Sequence, residues 1–233
     1  MQSKGMEAKK FSSARAKQVE AQANDEIYYA KEDNDTKKLT FENNSKYEKN
    51  KEMEQFRVNP SYVVVDIETT GFSPKWEEIT EIGAIKVVGG KIACQMQSLI
   101  KIKKRVPPEV TKLTGITDEM LAADGKPLRD VMMELLAFIE DLPIVAHNSR
   151  FDLSFINAAL EQLQQPKLTN KIIDTLALSK RLLKSLGSYK LEDLSSYFGH
   201  KLPSSDENKN RLHRSLGDCY LTYLLYEKLR NLD

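Results

Sequence analysis

Two carboxylates stand two residues apart at the end of the apolar run Val63-Val64-Val65-Asp66-Ile67-Glu68. β-Branched residues favour a strand, and side chains alternate across a strand, so Asp66 and Glu68 share one face. Like charges side by side at the end of a core strand repel each other and lose hydration. A divalent cation offsets both costs because hard cations prefer carboxylate oxygens. The pair therefore suggests a metal site, although the same spacing also fits a strand tip that simply enters solvent.

A third acid, Asp152, follows the short apolar run 143–146 and the polar pair His147-Asn148. It falls in the first turn of an expected helix, and α/β sheets commonly place ligand sites at the carboxyl ends of strands. A structural explanation also exists. Ser149 and Asp152 have the spacing of a capping box, and a carboxylate suits a helix N-terminus.

The last cluster with chemical potential is His213-Arg214-Ser215-Leu216-Gly217-Asp218. At about 100° per residue, five steps take His213 and Asp218 off a common helix face. The two converge only if His213 lies in the preceding loop or in the first turn. Gly217 lets another backbone approach closely beside Asp218. A histidine five residues before an acid is a weak signal by itself.

The stretches DIETTG (66–71), HNSRFD (147–152) and HRSLGD (213–218) resemble the three exonuclease motifs of the DnaQ-like, DEDDh family. That family includes the proofreading epsilon subunit of bacterial DNA polymerase III. The resemblance covers residues 61–232, with secondary matches at EIGAIKV (81–87), LTGIT (113–117) and IIDT (172–175). The third motif usually has Ala where this sequence has Ser215. The resemblance implies an α/β, RNase H-like exonuclease fold.

The resemblance also implies a site of two divalent metal ions, Mg²⁺ or Mn²⁺, held by four carboxylates. Asp66 would be shared by both ions. Glu68 and Asp218 would help hold the ion that binds the nucleophilic water, and Asp152 would support the second ion. His213 would be the general base, since an unperturbed imidazole titrates near ~6.5 and accepts a proton at neutral pH.

Candidate substrate contacts follow the first motif. In similar enzymes the residues after Glu68 receive the terminal nucleotide, which indicates Thr69, Thr70 and the Gly71 backbone. Phe72 could stack on a base, although a core position is equally consistent with the sequence. Further candidates are Asn148, which could orient its motif, and the basic residues Lys209, Arg211 and Arg214, for which solvated loop charges are the simpler explanation.

Strands and helices alternate after an opening hairpin, which predicts an α/β fold with a mixed five-stranded sheet flanked by helices. Strands are predicted at 61–68, 79–88, 91–102, 143–146 and 172–174, with a turn at Gly89-Gly90. Helices are predicted from Pro108 to near Gly115, in a short turn from Thr117, at 127–140, over about 16 residues that begin near Asp152, and at 175–185, 190–198 and 212–231.

Four basic residues, Lys101, Lys103, Lys104 and Arg105, cluster at the end of the third predicted strand. They could touch a phosphodiester backbone. They could equally protect an exposed strand edge from pairing with another chain.

The charge distribution suggests two parts: residues 1–57 as a charged N-terminal extension, and 58–233 as the exonuclease domain. Residues 1–57 hold 12 Lys/Arg and 11 Asp/Glu, which leaves 23 of each sign for residues 58–233. The extension is too polar to bury much surface, so disorder or a loose helix is expected. The domain lacks a bulk basic footprint for nucleic acid, so phosphate binding must be local or metal-assisted.

Cys94 and Cys219 are too few for a disulfide framework, and no apolar run approaches the ~20 residues of a membrane span. We therefore expect a cytoplasmic protein without a membrane partner.

The leading hypothesis is a 3′→5′ exonuclease that releases nucleoside 5′-monophosphates from single-stranded 3′ ends, most simply of DNA, in proofreading, repair or turnover. A DNA polymerase is a candidate partner. One alternative is an RNA-trimming exoribonuclease, because ribose discrimination rests on pocket contacts that a sequence does not expose. Another is a polymerase-associated adaptor whose charged tail is the functional part. The four intact acids and the histidine argue against the adaptor.

Overall fold

The computed structural model describes residues 60–202 and 213–232. The strands are β1 (Tyr62–Thr69), β2 (Ile79–Val88), β3 (Lys91–Leu99), β4 (Ile144–Ala146) and β5 (Ile172–Asp174). The helices are α1 (Pro108–Thr114), α2 (Asp118–Asp124), α3 (Leu128–Ile139), α4 (Ser149–Gln162), α5 (Thr175–Leu182), α6 (Leu191–Tyr197) and α7 (Ser215–Leu229). The predicted extension 1–57 and the candidate contacts Lys209 and Arg211 lie outside the described residues.

The five strands form one sheet in the order β3-β2-β1-β4-β5. β1 pairs antiparallel with β2, and β2 pairs antiparallel with β3. β4 runs parallel to both of its neighbours, β1 and β5. This arrangement confirms the predicted mixed sheet and gives β1 the central place.

The alternation of side chains along β1 assigns its residues to two different layers. Val63 and Val65 pack into a core with residues of α3 and α4. Val64 packs on the opposite face, against Leu216 and Cys219 of α7. Because side chains alternate, Asp66 and Glu68 continue the Val64 row and face α7.

Some predicted boundaries were wrong. β3 ends at Leu99 rather than at 102, because Ile100 forms a single parallel bridge with Lys126 and the chain then leaves the sheet. α7 begins at Ser215 rather than at 212, because His213 has a φ of 59°, which a right-handed helix does not allow. α5 ends at Leu182, three residues earlier than predicted. No helix of the described ranges has the length and apolar character that crossing a bilayer requires.

Candidate active site

The N-terminus of α7 lies directly on β2, and Gly83 permits that approach. A Cβ atom at Gly83 would lie 2.5 Å from the carbonyl carbon of Ser215 and 2.7 Å from the amide nitrogen of Leu216. No side chain fits in such a space. The contact brings the first turn of α7, which carries Asp218, against the strands beside Asp66.

Three carboxylates meet at this contact. One oxygen from each of Asp66, Glu68 and Asp218 lies within 4.8 Å of the other two. Asp218 is buried, whereas Asp66 and Glu68 are half-buried. The cluster therefore combines a rigid protein side, formed by β1 and α7, with an accessible side.

Asp152 joins the cluster from the first turn of α4. Its Oδ1 accepts a hydrogen bond from the backbone N–H of Ile67 at 3.3 Å, between Asp66 and Glu68 in sequence. The Asp152 side chain is 4% exposed. The structure thus brings together the four acids that the sequence singled out.

The clustering makes the charged forms of these acids unfavourable. Burial, followed by the charges of Asp218 and Asp152, raises the pKa of Asp66 well above its usual range. Burial, and then the charge of Asp218, raises the pKa of Glu68 to about 8. Burial also raises the pKa of Asp152 to about 8 and that of Asp218 to about 7, although backbone hydrogen bonds oppose the rise in both.

The donor set fits a divalent cation. Within the described part of the chain, the buried Oδ1 of Asp218 has no hydrogen-bond partner, and an unsatisfied buried oxygen is costly. Carboxylate oxygens at this spacing are the ligands that Mg²⁺ and Mn²⁺ prefer. A bound cation would supply the missing partner and stabilise the charged forms that burial, and then repulsion, disfavour.

His213 lies beside the cluster, but its ring points to α6. Its Nε2 is 3.2 Å from Oε1 of Glu192, and the side chain is about one-third exposed. A hydrogen bond from the His213 backbone lowers the pKa of Asp218. The backbone of His213 therefore contacts the acid cluster while its imidazole contacts Glu192.

Arg214 points inward, so the prediction that it contacts substrate was wrong. Its guanidinium forms an ion pair with Glu81, which is fully buried, and its Nε lies 3.1 Å from both Glu81 carboxylate oxygens. The backbone N–H and the hydroxyl of Ser215 also donate to Glu81, at 3.0 and 2.8 Å. Glu81 therefore fixes the residues that lead into α7 and positions Asp218.

The family model described as Exonuclease matches residues 63–226. The chain belongs to the exonuclease family. This finding confirms the resemblance carried by the three motifs.

Curated relatives of this exonuclease include long polymerases. The PolC-type DNA polymerase III of Thermotoga maritima is 39% identical over 162 residues, which are 70% of this chain and 11% of that protein. The Staphylococcus aureus PolC-type enzyme is 33% identical over 169 residues, 72% of this chain and again 11% of the relative. The chain thus spans about a ninth of the length of these relatives.

Two solved structures share its fold. Exonuclease X in complex with 5′-overhanging duplex DNA superposes with a TM-score of 0.59 and 26% identity, covering 73% of this chain and 91% of that one. E. coli Exonuclease I in complex with a dA16 oligonucleotide superposes with a TM-score of 0.64 and 17% identity, covering 74% and 41%. Together with the family match, they confirm the RNase H-like fold.

The hydroxyl groups of the loop after β1 form hydrogen bonds within the loop region. Thr69 Oγ1 donates to the carbonyl of Gly71 at 2.6 Å, and Thr70 Oγ1 donates to Glu77 Oε2 at 2.7 Å. Both side chains are buried. These hydrogen bonds fix the shape of the loop, and the contacts of Thr69 and Thr70 with a nucleotide stay a prediction. Gly71 has a packing role here, because a Cβ atom would lie 2.9 Å from Cγ of Glu77.

Phe72 is exposed, which excludes the core position that the sequence left open. Its side chain is 91% exposed. Its ring meets that of Phe151 edge-on, with the centroids 6.5 Å apart. Phe151 precedes Asp152 directly, so an exposed aromatic ring lies close to the acid cluster.

Asp174 holds the start of α4 in place. Its Oδ1 accepts from the backbone N–H of Asn148 at 3.1 Å, and its Oδ2 accepts from the Ser149 hydroxyl at 3.2 Å. Asn148 adopts the left-handed conformation with a φ of 65° and precedes α4 without a side-chain cap. The capping box suggested for Ser149 and Asp152 is therefore absent, since both side chains bond elsewhere.

Sequence reasoning missed Glu81, Asp174 and Glu192. Glu81 had a signal: an acid in an apolar strand requires a buried partner. Asp174 had one as well, because it ends a short strand and caps α5 through the amides of Leu176 and Ala177. Glu192 lies in an ordinary polar helix start, and its contact with His213 has no local signature.

Proposed function

We propose that this exonuclease is a metal-dependent 3′→5′ enzyme that removes nucleoside 5′-monophosphates from single-stranded 3′ ends, most simply of DNA. The observation that carries the proposal is the cluster of Asp66, Glu68 and Asp218, in which a buried Asp218 oxygen lacks a partner among the described residues. A site of this kind, in a chain of the exonuclease family, is suited to phosphodiester hydrolysis.

Each residue of the site has a role in the proposal. When bound, two divalent ions supply an activated water and neutralise charge on the scissile phosphate. Asp66, Glu68 and Asp218 would hold the ion that binds the water, and Asp152, together with Asp66, would support the second. His213 Nε2 leaves Glu192 and accepts the proton of the water as its oxygen attacks phosphorus. The bond from phosphorus to the 3′ oxygen then breaks, and that oxygen is protonated.

The names of the relatives, and the ligands of the superposed structures, favour DNA over RNA as the substrate. The curated relatives are DNA polymerases, and the two superposed exonucleases were solved with DNA. The same relatives support a role beside a DNA polymerase. The exposed ring of Phe72 offers a surface on which a terminal base stacks, and the exposed side chain of Asn148, just before α4, is a further candidate contact.

The test is digestion of 5′-labelled DNA and RNA oligonucleotides of the same sequence with Mg²⁺ or Mn²⁺. A 3′→5′ enzyme produces a ladder of labelled products that shorten with time, whereas the opposite polarity releases a labelled mononucleotide at once. We expect the ladder on single-stranded DNA, and faster hydrolysis of DNA than of RNA.

Asp66→Ala is the control for the metal site. It should lower the rate at least about a hundredfold, because a ligand matters at least as much as the partners that orient ligands. A variant that retains wild-type activity would refute the proposed site. Immediate release of the labelled mononucleotide would refute the polarity.

A further inference from the structure

Beyond the acid cluster, the described surface carries a concentrated run of positive charge. Lys101, Lys103, Lys104 and Arg105, here called the basic rim, are all exposed. The domain as a whole carries as many acidic as basic residues. Four exposed cations in five positions are therefore a local feature rather than part of a generally basic surface.

The basic rim lies at the same end of the sheet as the acids. β1 and β3 are both antiparallel to β2, so their carboxyl ends coincide. Glu68 pairs with Glu81, and Glu81 pairs with Leu99, which puts Glu68 and Leu99 in one row across the sheet. Two strand spacings separate them by about 10 Å. The basic rim begins two residues beyond Leu99.

Glu78 ties the basic rim to the first motif. Its backbone bonds Thr70 twice: its carbonyl accepts from the Thr70 N–H at 2.9 Å, and its N–H donates to Thr70 Oγ1 at 3.0 Å. Its carboxylate accepts hydrogen bonds from the backbone N–H groups of Lys103 and Lys104, at 3.1 and 2.8 Å. The rim is thus held in a fixed position relative to the end of β1.

The lysines do not protect a strand edge, which was the other explanation of this cluster. The sheet strand ends at Leu99. The backbone N–H of Lys101 donates to the carbonyl of Lys126, and those of Lys103 and Lys104 donate to Glu78. With these donors already satisfied, this segment offers little for another strand to pair with.

The four cations of the basic rim differ in whether an acidic side chain already lies beside them. Lys104 Nζ bonds the carbonyl of Trp76 and lies 3.4 Å from Glu77. The hydrogen bonds of Glu119 lower its pKa, and the nearby charge of Arg105 lowers it further by a smaller amount. Across residues 60–202 and 213–232, the side chains of Lys101 and Lys103 form no ion pair.

The surface around the basic rim suits a nucleic-acid strand. A groove of about 580 Å³ lies between Lys101, Lys104, Arg105 and the start of α2, where Asp118 and Glu119 also line it. Trp76, whose carbonyl is bound by Lys104, is 63% exposed and offers an aromatic face beside the cations. Cations that follow a backbone, with aromatics on which bases stack, are the usual elements of single-strand binding.

We infer that the basic rim binds phosphates of the substrate strand upstream of the 3′ end that enters the acid cluster. The inference rests on the proposed function and extends it to a second subsite. The row from Glu68 to Leu99 alone spans about 10 Å, which corresponds to roughly three phosphates of a stacked strand, and the basic rim begins beyond it. A dinucleotide therefore cannot reach the basic rim, whereas an octanucleotide does.

The test compares Lys101→Gln/Lys103→Gln with a matched double variant, Lys91→Gln/Lys184→Gln, in the full chain. Lys91 and Lys184 are exposed, and Lys91 lies at the opposite end of the sheet. The measurement is the ratio of kcat/KM for a DNA octanucleotide to that for a dinucleotide. Losing two phosphate contacts at about 0.15 M salt should lower this ratio about tenfold and reduce the salt slope by about 1.4.

The outcomes separate the two proposals. A ratio that is unchanged, or that falls equally in the matched variant, overturns the basic rim as a subsite. So does a loss seen only with duplex substrates, which would assign it to a complementary strand. If the wild type hydrolyses neither substrate, the proposed function fails. Octanucleotide binding, measured by fluorescence anisotropy with the same variants, then decides the role of the basic rim by itself.

Discussion

The Asp218 carboxylate is an unfavourable charge in the metal-free protein, and this has a consequence for stability. Its pKa is raised from 3.8 to about 7, chiefly by burial. A raised carboxyl pKa means that the folded state holds its proton longer than the unfolded state does. The free energy of unfolding therefore falls as pH rises from about 4 to about 7. At higher pH it stays at the lower value.

Asp218→Asn removes this charge and relieves Asp66 and Glu68, whose pKa values the Asp218 charge also raises. With EDTA present, we expect the variant to be more stable than the wild type at pH 8, with the difference shrinking towards pH 5. Urea unfolding at several pH values measures this difference in the free energy of unfolding. Saturating Mn²⁺ should reverse the order at pH 8, because only the wild type keeps the full ligand set. A difference independent of pH would show that charge is not its cause.

His213 is the proposed base, and its function can be separated from that of the acids by pH. A protonated imidazole cannot accept the proton of the attacking water, so the rate should fall on the acidic side of the profile. His213→Ala should remove this acidic limb and lower kcat by about 10² to 10⁴.

His200→Ala is the matched control, since His200 stacks on Phe198 outside the acid cluster. Its pH–rate profile should keep the acidic limb. If the limb persists in His213→Ala at saturating Mn²⁺, where the acids stay ionised on the metal, another group accepts the proton.

At the scale of elements, the site depends on how closely α7 packs on β2. Gly83→Ala puts a methyl group 2.5 Å from the Ser215 backbone, which must move. Overpacking of this kind costs about 1–3 kcal/mol. The movement also carries Asp218 away from Asp66, so we expect weaker metal binding and lower activity in addition to lower stability.

Gly187→Ala is the comparison for this substitution, because a Cβ atom there has no neighbour within 4 Å. Thermal unfolding and a Mn²⁺ titration should leave the Gly187 variant close to the wild type. Equal effects of the two substitutions would show that the close approach at Gly83 does not position Asp218.

At the scale of the whole molecule, the parts that follow local rules were predictable. Strand alternation gave the shared face of Asp66 and Glu68, and the order of elements gave the mixed sheet. The inward turn of Arg214 was not predictable, because its partner Glu81 is 133 residues away in sequence. The end of β3 also depends on a distant residue, Lys126, with which Ile100 forms a bridge before the chain leaves the sheet.

The charged N-terminal extension is not expected to contribute to the exonuclease fold. Within the described residues, the core formed around β1 is complete from Pro60 onward. The carbonyl of Pro60 accepts the N–H of Gly90, and the fully buried Tyr62 donates its hydroxyl hydrogen bond to Glu227. A chain that begins at residue 58 retains these contacts, so we expect it to fold and to hydrolyse oligonucleotides at the wild-type rate.

A chain that begins at residue 64 is the matched truncation. It loses Pro60 and Tyr62, and burying a side chain the size of Tyr62 contributes on the order of 3 kcal/mol or more. A substantial fraction of the stability of a typical domain would then be lost, so this chain should unfold at a lower urea concentration or fail to fold. If the chain from residue 58 behaves in the same way, residues 1–57 contribute to the exonuclease fold and the predicted division of the chain is wrong.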